Sequence, residues 1–189
     1  MKKLLKVIPL HTNELKLIRK AQKNNKEAQR LIFEKYSPKM LSICRYYIAD
    51  LHFAEDVMIT GFYKVFSNLP AFKNNGSFEG WIRKIMVRES ISFLRSKKQM
   101  FFVEEEEKIV QEIDYNHTPE VDHLQLIIDE LPDGYKSVFV MYAIQGYSHK
   151  EIAEMLHISE STSKSQLYKA RKMLQHKLNG LNLKENGTR

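Results

Sequence analysis

A run of side chains near the C-terminus combines the spacing and the chemistry of a helix that reads DNA. Ser161, Lys164, Ser165, Tyr168 and either Arg171 or Lys172 fall on one helical face, with Lys169 beside them. Short hydroxyls let a backbone approach a duplex closely. Lys and Arg neutralise phosphates or reach guanine edges, and Tyr can meet a phosphate or a base edge. Leu167, Ala170 and Leu174 recur at spacings of three and four, which predicts the buried stripe of the same helix.

Such a face is useful only if a second helix holds it. "SHKE" reads as a capping box, with Ser148 capping a short helix and Glu151 reaching back. Ile152, Ala153 and Leu156 share one side of that helix, and Ser159 caps the next. The small Ala153 suits the crossing point of the pair. His157 occupies the tight turn, where Gly is often used, and Ser163 stands where a Val or Ile usually packs. The geometry is that of a helix-turn-helix, whose second helix enters the major groove. A solvated helix of an ordinary bundle would present a similar face, but the short connection, both caps and Ala153 favour DNA.

The remainder of the chain reads as helices as well. Asn25 caps a pattern running through Ala28, Leu31, Ile32 and Tyr36, and Pro38 is expected in the first turn of a further helix through Leu41, Cys44 and Ile48. "HFAEDVMITGFYKVFSNL" and "FEGWIRKIMVRESISFLRSKKQ" each carry helical periodicity, and "PAFKNNGSF" between them is a loop by its Pro, Asn and Gly. On the second of these helices Lys84, Arg88 and Arg95 recur at i, i+4 and i+11 and, with Arg83, Lys97 and Lys98, predict a basic stripe suited to nucleic-acid phosphates. Gly146 is a natural stop after "SVFVMYAIQ".

With 43% apolar residues and only seven Gly and five Pro, the 189-residue chain can build ordinary helical cores. The expected fold is all-α, with two small helical domains: residues 13–98, an acidic linker over 99–122, and the helix-turn-helix domain over 123–178. Charge follows a similar division. Residues 1–100 hold 20 basic and 8 acidic side chains, residues 101–132 hold 1 and 10, and residues 133–189 hold 9 and 5. Two basic ends fit a polyanion, while the acidic middle meets something else.

Several classes fall away. A single cysteine, Cys44, excludes an intrachain disulfide and a CxxC zinc site, and its apolar setting predicts a buried, inert thiol. The seven His are scattered without metal-ligand spacing, and no Gly-rich phosphate loop, HExxH or GxSxG is present. No metal, cofactor or catalytic residue is therefore expected. The start, "MKKLLKVIPLHTNELKL", is too short and interrupted in its apolar part for a signal peptide, and no run reaches the length of a membrane span. A cytoplasmic protein is expected.

"LPDGYKSVFVMYAIQGYSHKEIAEMLHISESTSKSQLYKARKML" resembles the region-four domain of bacterial sigma factors, especially the extracytoplasmic-function (ECF) group. "AEDVMITGFYKVFSNL" followed by "FEGWIRKIMVRESISFLR" resembles region two of the same family, as does "AQRLIFEKYSPKM". The resemblance implies a factor that binds core RNA polymerase, recognises the −10 and −35 elements of promoter DNA and promotes opening. It implies −35 contacts from the Ser161–Lys172 face. It implies capture of a −10 base by the loop holding Asn74, Asn75 and Ser77, with the Lys84 stripe on the melted strand. Asp56, Val57, Phe62 and Lys64 match the polymerase-binding helix, and Ile59 and Thr60 are carried as candidates within it although the family usually has Gln-Glu there; Val57 and Phe62 also suit a plain core. Trp81 and Phe78 suit either base stacking or the core. The resemblance further implies an acidic connector threading the polymerase and a membrane-bound anti-sigma factor as partner. The alternative is a stand-alone helix-turn-helix repressor or activator that does not bind polymerase core.

Overall fold

Short polar residues decide where the helices of the first half begin. The structure, a computed structural model, describes residues 14–73, 75–101 and 119–185, with side chains over 14–73, 75–97 and 124–179. Helix α1 spans Glu14–Gln22, α2 Lys26–Tyr47, α3 Leu51–Asn68 and α4 Phe78–Phe101. Asn25 Oδ1 accepts from the Ala28 N–H at 2.9 Å, Asp50 Oδ1 from the Phe53 N–H at 3.1 Å, and Ser77 Oγ from the Gly80 N–H at 3.2 Å. Each satisfies a donor that a helix N-terminus otherwise leaves unpaired. The Gln22 side chain donates to the Leu69 and Phe72 carbonyls at 3.1 and 3.0 Å, tying the end of α1 to the 3-10 turn Leu69–Ala71.

These four helices pack on Ile18, Ile32, Met40, Val65, Ile82 and Met86, each no more than 1% exposed. Gly61 lets α3 and α4 approach closely, since a Cβ there would lie 2.3 Å from Met86 Sδ. Cys44 is fully buried, and burial pushes its thiol up to about 11, which leaves it protonated and unreactive at neutral pH.

Two boundaries differ from the sequence reading. Pro38 lies inside α2 and starts no new helix. It cannot donate to the Glu34 carbonyl, but both residues are exposed, so water can serve that acceptor. The expected linker over 99–122 is entered by helix from both sides. No Gly or Pro interrupts residues 91–101, so α4 continues to Phe101, while Pro119 occupies the first position of α5, where a missing N–H costs nothing. The acidic run 104–107 lies outside the described residues.

The second half comprises α5 (Pro119–Asp129), α6 (Asp133–Phe139), α7 (His149–Leu156) and α8 (Glu160–Glu185). After α6 the chain widens into a π turn over Val140–Ile144, with the Gln145 N–H donating to the Val140 carbonyl at 2.9 Å. Gly146 (φ +76°) then ends it. Leu131, Val138, Met141, Ile152, Leu167 and Ala170 form the packed centre of this half.

The halves meet at the end of α2. Arg45 lies 2.7 Å from the Asp129 carboxylate, whose side chain is 6% exposed, and the buried Lys136 ammonium lies 4.0 Å from it. The Gln125 side chain donates to Asp129 at 3.0 Å and more weakly to the Arg45 carbonyl at 3.4 Å. Burial holds the Lys136 amine below the ordinary lysine range, against the opposing pull of Asp129. Below the folded value both states hold the proton. Between that value and the ordinary lysine range only the unfolded chain does, so stability rises with pH across that window. Lys136→Met is expected to abolish this alkaline rise in urea denaturation midpoints. Asp129→Asn, which leaves two cations facing each other, is expected to cost about 3 kcal/mol by the same measurement.

Candidate nucleic-acid and protein interfaces

The helix-turn-helix is fixed by its own hydrogen bonds. Ser148 Oγ accepts from the Glu151 N–H at 3.3 Å, and Glu151 Oε2 accepts from the Ser148 N–H at 2.9 Å, so the capping box is complete. The Ser148 N–H and the Ser148 hydroxyl, which donates to Glu151 Oε2 at 2.8 Å, hold the Glu151 carboxyl below its ordinary range, the backbone N–H contributing most. His157 adopts the left-handed conformation (φ 54°, ψ 47°) that turns the chain toward α8, and the Ile158 N–H returns to the Ala153 carbonyl at 3.1 Å. Ser159 Oγ accepts from the Thr162 N–H at 3.0 Å and starts α8.

On α8, Ser163, Leu167, Ala170 and Leu174 are buried, and Ser161, Lys164, Ser165, Tyr168, Lys169, Arg171 and Lys172 are exposed, Tyr168 at 67%. Successive residues turn by about 100°, so Ser161, Ser165, Tyr168 and Lys172 cluster opposite the buried stripe, with Lys164 beside Tyr168. Lys169 and Arg171 stand on its two flanks. The hydroxyls are not idle: Ser161 Oγ lies 2.8 Å from Ser159 Oγ, and Ser165 donates to the Thr162 carbonyl at 2.9 Å. Ser163, a polar residue in an apolar slot, is satisfied by His149 Nδ1 at 2.8 Å.

The α3 candidates divide. Asp56, Ile59, Thr60 and Lys64 are exposed, Ile59 at 57%. Val57 and Phe62 are corrected to core residues: at 6% and 2% exposure neither offers a side chain to a partner, and Phe62 packs edge-on against Phe33 with centroids 4.8 Å apart. Lys64 is held 2.7 Å from Glu89 of α4. Tyr63, missed in the sequence, is 72% exposed and lies four residues after Ile59, so the spacing from Asp56 through Ile59 and Thr60 to Tyr63 could have found it.

The loop before α4 borders an open pocket of about 380 Å³ lined by Phe72, Lys73, Asn75, Ser77, Trp81 and Lys84. Asn74 lies outside the described residues. Phe78 is core at 4% exposure, whereas Trp81 is half-buried, stacks on Phe78 at 5.8 Å and keeps an edge on the pocket.

The basic stripe on α4 is narrower than the sequence reading. Lys84 and Arg88 are exposed and share a face with Arg95. Arg83 sits a quarter turn away, ion-paired with Glu79 at 3.1 Å, and Glu79 is also gripped by Lys39. Lys97 lies across the helix over the Phe53 ring at 5.5 Å, because thirteen residues carry it well over half a turn past Lys84. The Lys98 side chain lies outside the described residues. Arg95 donates to the Met155 carbonyl of α7 at 2.8 Å, and Arg88 and Arg95 share a groove of about 350 Å³ with Glu154 and His157. Among the described residues no group of His, Cys, Asp and Glu could hold a metal ion, and no helix is long and apolar enough to cross a membrane.

Comparison with known proteins finds matches for both halves of the chain. Residues 32–100 match the family model for sigma-70 region 2 and residues 122–174 the model for sigma-70 region 4. The ECF RNA polymerase sigma factor SigW of Bacillus subtilis is 26% identical over 186 residues, covering 88% of this chain and 97% of that protein. The ECF RNA polymerase sigma-E factor of Haemophilus influenzae is 23% identical, covering 87% and 95%. Among solved structures, the sigma factor RpoE of Bartonella quintana, in complex with the anti-sigma factor NepR, aligns with a TM-score of 0.56 at 16% identity, covering 79% of this chain and 96% of that one. CnrH, in complex with the cytosolic domain of CnrY, aligns at 0.54 and 18% identity, covering 88% and 97%.

The left-handed turn between α7 and α8 gives a direct test of the local energetics. A β-carbon is disfavoured at this φ, so His157→Gly is expected to stabilise the protein by about 1 kcal/mol, read as a raised thermal midpoint by circular dichroism.

Proposed function

Because this chain belongs to the sigma-70 family and is an ECF-type RNA polymerase sigma factor, we propose that α8 reads the −35 element while α3 docks on core polymerase. The observation that carries the first role is the bare face of Ser161, Lys164, Ser165, Tyr168 and Lys172, backed by a completed helix-turn-helix. Flanking Lys169 and Arg171 are placed for phosphates on either side of the groove. The exposed strip of Asp56, Ile59, Thr60 and Tyr63 supports the second role, because a large apolar side chain and a tyrosine left in water on one helix face suit a protein partner.

The pocket beside Asn75, Ser77 and Trp81 is the proposed receptacle for an unstacked −10 base: it offers polar groups, an aromatic edge and Lys84 for the adjoining phosphate. Residues 13–98 then act as region two, 99–122 as the connector and 123–178 as region four. The chain carries out no catalysis of its own and works in the cytoplasm. An anti-sigma factor is the proposed further partner, in keeping with the complex in which RpoE was solved. The stand-alone repressor is not favoured, since the region-two match lies outside the helix-turn-helix.

In vitro transcription with purified bacterial core polymerase on genomic promoter fragments tests the reading as a whole. Lys164→Ala and Arg171→Ala are each expected to weaken promoter binding by the holoenzyme about tenfold while leaving core binding intact. Ile59→Asp and Tyr63→Ala are expected to do the reverse, lowering recovery of holoenzyme on size exclusion. A loss of core binding in the α8 variants would count against the division of roles.

A further inference from the structure

Arg171 does not extend from α8 unaided. Its guanidinium carbon lies 5.7 Å from the centroid of the Tyr142 ring. The other side of that assembly is also built: Tyr142 stacks on the His149 imidazole with centroids 4.6 Å apart and planes 24° apart. His149 in turn meets Ser163, which is fully buried at the crossing of α7 and α8. A continuous column thus runs from the interior of the helix pair, through two rings, to a cation at the edge of the reading face.

Each member comes from a different element. Ser163 and Arg171 belong to α8, His149 opens α7, and Tyr142 sits in the π turn. That turn matters, because Val140 and Met141 are buried while Tyr142, Ala143 and Ile144 are all exposed. The wider turn carries Tyr142 out of the core and over His149. The Ser at an apolar slot, the π turn and the exposed Tyr142 thus become one arrangement.

We propose that Tyr142, braced by His149 and Ser163, is a positioning residue that pre-sets Arg171 for a phosphate at the edge of the −35 element. This rests on the assignment of α8 to the −35 element. An arginine side chain has extensive rotamer freedom, and confining it beforehand lowers what DNA binding must later order. The mode of confinement suits the purpose. A cation–π contact with a ring takes none of the five N–H donors into a hydrogen bond with an acceptor, whereas a carboxylate partner would take two of them and cancel the charge.

The test is a double-mutant cycle in the holoenzyme, assembled from purified bacterial core polymerase and the full chain. The probe is a fluorescent promoter duplex recovered from a randomised pool by the wild-type holoenzyme, with affinity read by anisotropy. Tyr142→Leu keeps an apolar side chain but removes the ring and is expected to weaken binding about threefold, the scale of a partly exposed cation–π contact. Tyr142→Phe restores the wild-type value. In an Arg171→Ala background, Tyr142→Leu adds nothing. Recovery of holoenzyme by each variant controls for folding. Wild-type affinity in Tyr142→Leu, or a threefold loss that persists without Arg171, overturns the proposal and leaves the −35 role of α8 standing. Wild-type affinity in Arg171→Ala overturns both.

Discussion

The burial of Leu167, Ala170 and Leu174 against α6 and α7 is the interaction on which the reading surface depends. A helix of this length has no stable tertiary position without an apolar stripe, and this stripe takes up less than half of its circumference. Everything cationic is thereby forced outward. The cost of holding Lys164, Lys169, Arg171 and Lys172 so close together is kept low because all four are exposed and screened by water. The same division governs α3. Val57, Phe62 and Val65 enter the bundle, and Ile59 and Tyr63 remain outside because they lie at the wrong angle to join them.

The stripes and caps were legible because their causes are local. Asn25, Ser148, Glu151 and Ser159 each serve backbone groups within three residues, so spacing alone identifies them. The same locality explains Gly146, whose positive φ asks for a residue without a Cβ. Pro38 was misread because a single exposed carbonyl is a small loss beside a long buried face, and tertiary packing of α2 outweighs it.

What was not legible depends on residues distant in sequence. Nothing near Ser163 announces that His149, fourteen residues earlier, will satisfy its hydroxyl. Val57 and Phe62 matched a polymerase-binding pattern, yet a pattern does not say which of its members face inward; only the angle at which α3 meets α2 and α4 does so. Lys97 was assigned to a stripe by charge, and helical phase removes it from that stripe. Like charge is thus a weaker guide to a shared surface than angular position.

Arg95 shows how far charge and partner can separate. It shares a face with Lys84 and Arg88, but its guanidinium donates to Met155, one of the last carbonyls of α7. A helix leaves four such carbonyls without intrahelical donors and concentrates partial negative charge there, so a cation from a neighbouring element is well suited to the position. The left-handed His157 serves the same helix end, its N–H and that of Ile158 both returning to Ala153. The C-terminus of α7 is therefore capped from two directions, once by its own chain and once by α4. Together with Asp129 beside Arg45, this shows cations of the first half finding acceptors in the second. These polar contacts are directional and add to an apolar core whose buried side chains come from both halves.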